Sequence, residues 1–76
     1  MIQRLIDAGK ALYGDRWQTD LARALGLSDA RRLRQWLSED RPIPAGVWDD
    51  ITTLLRDRQR TIDTVLERIE HDQPTP

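Results

Sequence analysis

The side chains best placed to do chemistry lie in "SDARRLRQWLSEDR", residues 28–41. Arg31, Arg32 and Arg34 crowd into four positions, and Gln35 follows directly. A guanidinium is a planar fork of donors. It can pair with O6 and N7 of guanine or hold a phosphate, and glutamine can pair bidentately with adenine. At about 100° per residue, Ala30, Leu33, Trp36 and Leu37 share one face of a helix over 29–38. That face is the expected core side, with Trp36 buried in it. Arg31 and Gln35 then point directly away from the core, Arg32 and Arg34 occupy the flanks, and Ser28 lies near the outer face at the helix start. A solvated basic face is the plain alternative, and composition alone favours it.

Other chemistry finds little support. The single histidine, His71, sits four residues after Glu67, a spacing that can share a metal, but two exposed ligands make a poor site. Asp49–Asp50 and Glu39–Asp40 are adjacent pairs that diverge on a helix, so neither is a general acid/base couple. No glycine-rich phosphate loop and no cysteine are present. The expectation is a non-enzyme with no catalytic residues, no metal and no cofactor.

The elements that must position these arginines follow from pattern. Seventy-six residues make one small domain with a modest core. Ile2, Leu5, Ile6, Leu12 and Tyr13 repeat at helical spacing and predict a helix over 2–13, with Gly9 on its apolar side. Gly9 there either admits a close neighbour or merely weakens the helix. Asp15 and Gln18 fit a capping box for a second helix over 16–25 that buries Leu21, Ala22 and Leu25. Trp17 is expected to pack. Gly26 suits the end of that helix, and Ser28 is a natural N-cap for the third. Pro42 and Pro44 in "EDRPIP" end the third helix, and Pro44 fits the first position of the next, with Asp49 and Asp50 near its positive end. The fold class is all-α, with four to five helices.

Charge is uneven along the chain. Residues 1–44 hold eight Lys/Arg against six Asp/Glu, and residues 45–76 hold four against seven. A net charge of −1 therefore leaves a mildly basic first half able to meet a polyanion locally. Eleven of the twelve basic residues are arginine, which a GC-rich genome explains as well as function does, although it does not explain their placement. "MIQRLIDAGK" lacks the apolar run of a signal peptide, and no stretch approaches the ~20 apolar residues of a membrane span. The expected setting is the cytoplasm of a bacterium or a phage-infected host, with no membrane partner.

"QTDLARALGLSDARRLRQWL" resembles the helix-turn-helix of the Cro/repressor-like (Xre-like) DNA-binding regulators of phage and bacteria. Gln18, Ala22, Gly26, Leu27, Ser28 and Trp36 stand at the motif's glutamine, alanine, glycine, apolar-serine pair and closing aromatic. "RPIP" before an amphipathic helix looks like that family's exit from its recognition helix. The resemblance covers roughly residues 2–56. It departs in one respect: Gly26 to Trp36 is ten steps where the motif has nine, so one residue is inserted near "SDAR". The resemblance implies a sequence-specific regulator of transcription, a repressor that reads double-stranded DNA through the major groove with residues 28–38. The base-reading set is Arg31, Gln35, Ser28 and Arg34, with Arg34 also within reach of a phosphate. The insertion leaves open which of Arg31, Arg32, Arg34 and Gln35 stand at the family's base positions. Gln18 and Thr19 at the second helix's start, with Arg32 and Arg41, are the phosphate set.

The rest of the chain is expected to pair copies. Residues 1–57 form the DNA-binding head, 58–71 a dimerisation helix and 72–76 a disordered tail. From Pro44 to His71 one helix would be roughly 42 Å long, too long for the head to cover. The stripe Val47, Ile51, Leu54, Leu55 is interrupted by "RDRQRT", with Arg58 on its apolar side, and the helix should leave the head or kink there. Ile62, Val65, Leu66 and Ile69 then form a second apolar face. A homodimer through these four residues would place two recognition helices on a palindromic operator, with half-sites about one DNA turn apart. The alternative is that the segment folds back on the first helix. A rival function is a helical antitoxin or adaptor that binds a partner protein, with or without DNA.

Overall fold

The computed structural model describes residues 2–72. Among them it contains four α-helices and no strand: α1 (Ile2–Tyr13), α2 (Trp17–Ala24), α3 (Arg31–Leu37) and α4 (Ala45–Asp72). α1–α3 and the first three turns of α4 form a head around Leu5, Leu12, Trp17, Leu21, Leu33, Trp36 and Ile51. Ile6, Tyr13, Leu25, Leu27, Leu37, Ile43, Val47, Trp48, Leu54 and Leu55 are half-buried around it. Among the described residues no helix is long and apolar enough to cross a membrane.

The close approach of α1 and α2 depends on Gly9. A Cβ there would fall inside the indole ring of Trp17, nearest its Cε3 and Cδ2 atoms. Trp17 is 3% exposed, so the ring has little room to retreat. Gly9 is thus a packing residue, and Trp17 lies in the core.

Helix ends account for most departures from expectation. α2 starts at Trp17 with Arg16 at the N-cap and no side-chain cap, so Asp15 and Gln18 do not form a capping box. The buried Trp17 anchors that start instead. At its other end, Leu27 N–H donates to Ala22 C=O (2.9 Å) and Gly26 N–H to Arg23 C=O (3.0 Å), with Gly26 at φ +78°. This is the Schellman arrangement that glycine favours. α3 starts two residues later than expected. Its N-cap is Ala30 with no side-chain cap, so Ser28 does not cap it; the first helical N–H, from Arg31, instead donates to the Asp29 carboxylate at 2.8 Å, from just before the N-cap. α3 ends by the same Schellman arrangement, with Asp40 N–H donating to Gln35 C=O (3.0 Å) and Glu39 N–H to Trp36 C=O (3.1 Å). Here the left-handed residue is Glu39, at φ +63°.

α4 begins at Ala45. Pro44 stands one residue outside it and accepts the N–H of Val47 through its carbonyl (3.1 Å). Its first turn carries no acid, because Asp49 and Asp50 fall in the second. α4 then runs 28 residues without interruption and neither folds back nor divides into separate helices. Its described part reaches Asp72, one residue beyond the expected 71. The rest of the proposed tail, 73–76, lies outside the described residues.

Candidate nucleic-acid interface

α3 holds its arginines by burying its other face. Leu33 is fully buried and Trp36 is 3% exposed, as the wheel requires. Ala30 is buried beside them, and Leu37 is half-buried. With those side chains fixed against the core, Arg31, Arg32 and Arg34 can only project outward, and all three are exposed. Gln35 differs from expectation: it is half-buried. α3 is only seven residues long, and the chain turns back at Glu39 so that the amides of Asp40 and Arg41 both reach the Gln35 carbonyl. The returning loop therefore shields part of the outer face on which the wheel places Gln35.

A shallow concavity of about 430 Å³ lies between the α2–α3 turn and α3, lined by Gly26, Leu27, Ser28, Asp29, Arg31, Arg32 and Gln35. A second, adjoining one is lined by Arg32, Gln35, Arg41, Pro42 and Pro44. Arg32 and Gln35 belong to both, so the two make one surface running from the turn to the loop after α3. Five of the expected residues meet there: Ser28, Arg31, Arg32, Gln35 and Arg41. Arg34 lines neither concavity and stands on the flank of α3. Gln18 and Thr19 are exposed in the first turn of α2 and line neither concavity.

The ion pairs of the described residues lie elsewhere. Asp20 pairs with Arg23 (3.7 Å) and Asp57 with Arg60, each within one helix. None involves Arg31, Arg32, Arg34 or Arg41. The carboxylates nearest in sequence have other hydrogen bonds: Asp29 accepts from the Arg31 amide, and Asp40 accepts from the Ser38 hydroxyl at 3.0 Å. Four guanidinium groups are thus left without a carboxylate partner, and no buried side-chain polar atom among the described residues lacks a hydrogen bond. Asp29 is the residue that sequence reasoning missed. It lines the surface and carries the one negative charge on it. Its signal was available, since an aspartate side chain readily accepts a backbone N–H two residues on.

The described residues contain no cluster of three or more His, Cys, Asp or Glu side chains able to hold a metal. Glu67 and His71 are both exposed on the last turns of α4. No family model, no curated protein and no solved structure matches the chain.

Proposed function

We propose that the protein is a Cro/repressor-like (Xre-like) helix-turn-helix regulator that binds double-stranded DNA sequence-specifically as a homodimer and represses transcription. The observation that carries this reading is the joint surface of Ser28, Arg31, Arg32, Gln35 and Arg41. It is a broad, shallow face with unpaired guanidinium groups, set on a short helix whose other side is locked into the core. A small molecule needs an enclosed pocket, whereas a duplex needs a projecting helix flanked by cations. In this reading Arg31 and Gln35, with Ser28, address base edges. Arg32, Arg34 and Arg41 hold phosphates on either side, and Gln18 and Thr19 meet the backbone from the start of α2.

Selection of bound duplexes from a random pool tests this. The reading expects one enriched, two-fold symmetric site. A pool that stays unenriched after repeated rounds contradicts it. A second reading, a helical antitoxin or adaptor for a partner protein, is favoured by one observation, the exposed apolar face of Ile62, Val65, Leu66 and Ile69. It expects a hetero-complex in which that face is covered while DNA binding is absent or incidental.

A further inference from the structure

α4 carries its two apolar segments on one side. Take the middle of the second segment, between Val65 and Leu66, as a reference direction. At about 100° per residue, Ile51, Leu55 and Arg58 all fall within about 30° of it. Ile51 is buried in the head, Leu55 is packed against it, and the Arg58 guanidinium lies over the Tyr13 ring, 5.6 Å from its centroid. The head therefore rests on the same face of α4 that Ile62, Val65, Leu66 and Ile69 continue, and these four remain 49%, 47%, 48% and 50% exposed.

This placement decides how a second copy can cover the patch. Two packed helices lie about 8–10 Å apart. The molecule is 22 Å across and 56 Å long, so the head stands well proud of α4 on the patch side. In a parallel pair both heads would project into the same narrow gap at the same level. Arg58 would also face Arg58, and Asp72 would face Asp72. In an antiparallel pair the heads lie at opposite ends. The spacing i, i+3, i+4, i+7 is symmetric about its own middle, so reversing one copy lays Ile62 on the partner's Ile69 and Val65 on the partner's Leu66. Asp72, the last described residue of α4, lies about 10 Å beyond the middle of the patch. The partner's Asp72 would thus lie level with Gln59 and beside Arg58.

We infer that the protein dimerises by antiparallel pairing of residues 58–72 of α4, with Asp72 of each copy beside the Arg58–Tyr13 corner of the other head. This rests on the reading of the protein as a homodimer and adds its geometry. The patch is short, and Asp63 meets the partner's Glu70 on one rim. The free protein is therefore a concentration-dependent dimer rather than an obligate one.

The chain has no cysteine, so introduced ones report orientation cleanly. Full-length Ile62→Cys and Ile69→Cys chains are mixed in equal amounts in a glutathione redox buffer, and the disulfides are identified by mass spectrometry. Antiparallel pairing yields the mixed 62–69 disulfide in several-fold excess over either symmetric one. Predominance of the symmetric 62–62 and 69–69 disulfides would mean parallel pairing and would overturn the inference while leaving the dimer standing. A wild-type chain that remains monomeric by light scattering at millimolar concentration would remove the dimer as well. Arg58→Asp should weaken dimerisation, and adding Asp72→Arg should restore it; failure of the restoration also counts against the arrangement.

Discussion

The head and the distal half of α4 both carry apolar side chains but put them to opposite use. In the head, α1, α2 and α3 bring Leu5, Leu12, Trp17, Leu21, Leu33 and Trp36 together over Ile51 until little of them meets water. Beyond Arg58, α4 carries Ile62, Val65, Leu66 and Ile69 with no second element of the described residues against them. The head owes its stability to tertiary packing. The distal segment is held by helix propensity and by backbone hydrogen bonds propagated from the turns packed in the head. Changes in the head should therefore alter folding, and changes in the distal segment should alter association alone.

The largest effect should come from Trp36→Ala, which removes a buried aromatic that fixes α3. Such changes cost about 3–5 kcal/mol, a large part of the total stability of a small domain. Thermal unfolding followed by circular dichroism should show a collapsed or absent transition. An unchanged melting temperature with lost DNA binding would make Trp36 a contact residue and rotate the proposed surface.

Gly9→Ala should come next. Alanine favours helix by about 1 kcal/mol, but its Cβ cannot coexist with the Trp17 ring, and overpacking of this kind costs about 1–3 kcal/mol or more. The expected net result is a lower denaturation midpoint. A raised midpoint would show that α1 and α2 can separate freely.

The distal segment gives the contrasting case. Leu66→Asp should leave the melting temperature of a dilute sample within the error of measurement, since surface substitutions stay within about 0.5 kcal/mol. Light scattering at high concentration should then show a monomer. A large loss of stability at any concentration would place residue 66 in the fold of its own chain. Back in the head, Glu39→Gly should stabilise the fold by up to about 1 kcal/mol, because it relieves a left-handed residue at the end of α3.

Much of this division was legible in the sequence. The spacing of Ala30, Leu33 and Trp36 identified the buried face of α3, and Gly26 marked the end of α2, because both signals are local. The 28-residue length of α4 was legible because no glycine or proline interrupts residues 47–73. Other features were hidden because they depend on where the chain goes next. Ser28 and Asp29 can each accept a backbone N–H near a helix start, and only the path of the turn decides that Asp29 takes the Arg31 amide. Nothing marks Glu39 as a left-handed residue, so the reversal that half-covers Gln35 has no local signal. Arg58 on an apolar stripe looked like an interruption. It serves as a contact once Tyr13, forty-five positions earlier, is brought beneath it.

Asp29 offers a sharper view of the proposed surface. Asp29→Asn keeps a side-chain acceptor for the Arg31 amide and removes the one negative charge on the concave face. Stability should barely change, while affinity for any duplex should rise. Arg34→Ala should do the reverse, weakening specific and random binding alike and lowering the slope of log affinity against log salt by about one unit.

The central claim, that the exposed face of α3 reads DNA, is tested most directly by titrating the full chain on the enriched duplex and on random duplex at about 50 mM and about 200 mM salt. The measurement is then repeated with Arg31→Ala. The account predicts steep weakening with salt on both duplexes and a large preference for the enriched one. It also predicts that Arg31→Ala removes about 1–3 kcal/mol of that preference, confined to one base position in each half-site. Equal binding of the two duplexes by the unaltered chain, or a preference that Arg31→Ala leaves intact, would contradict it.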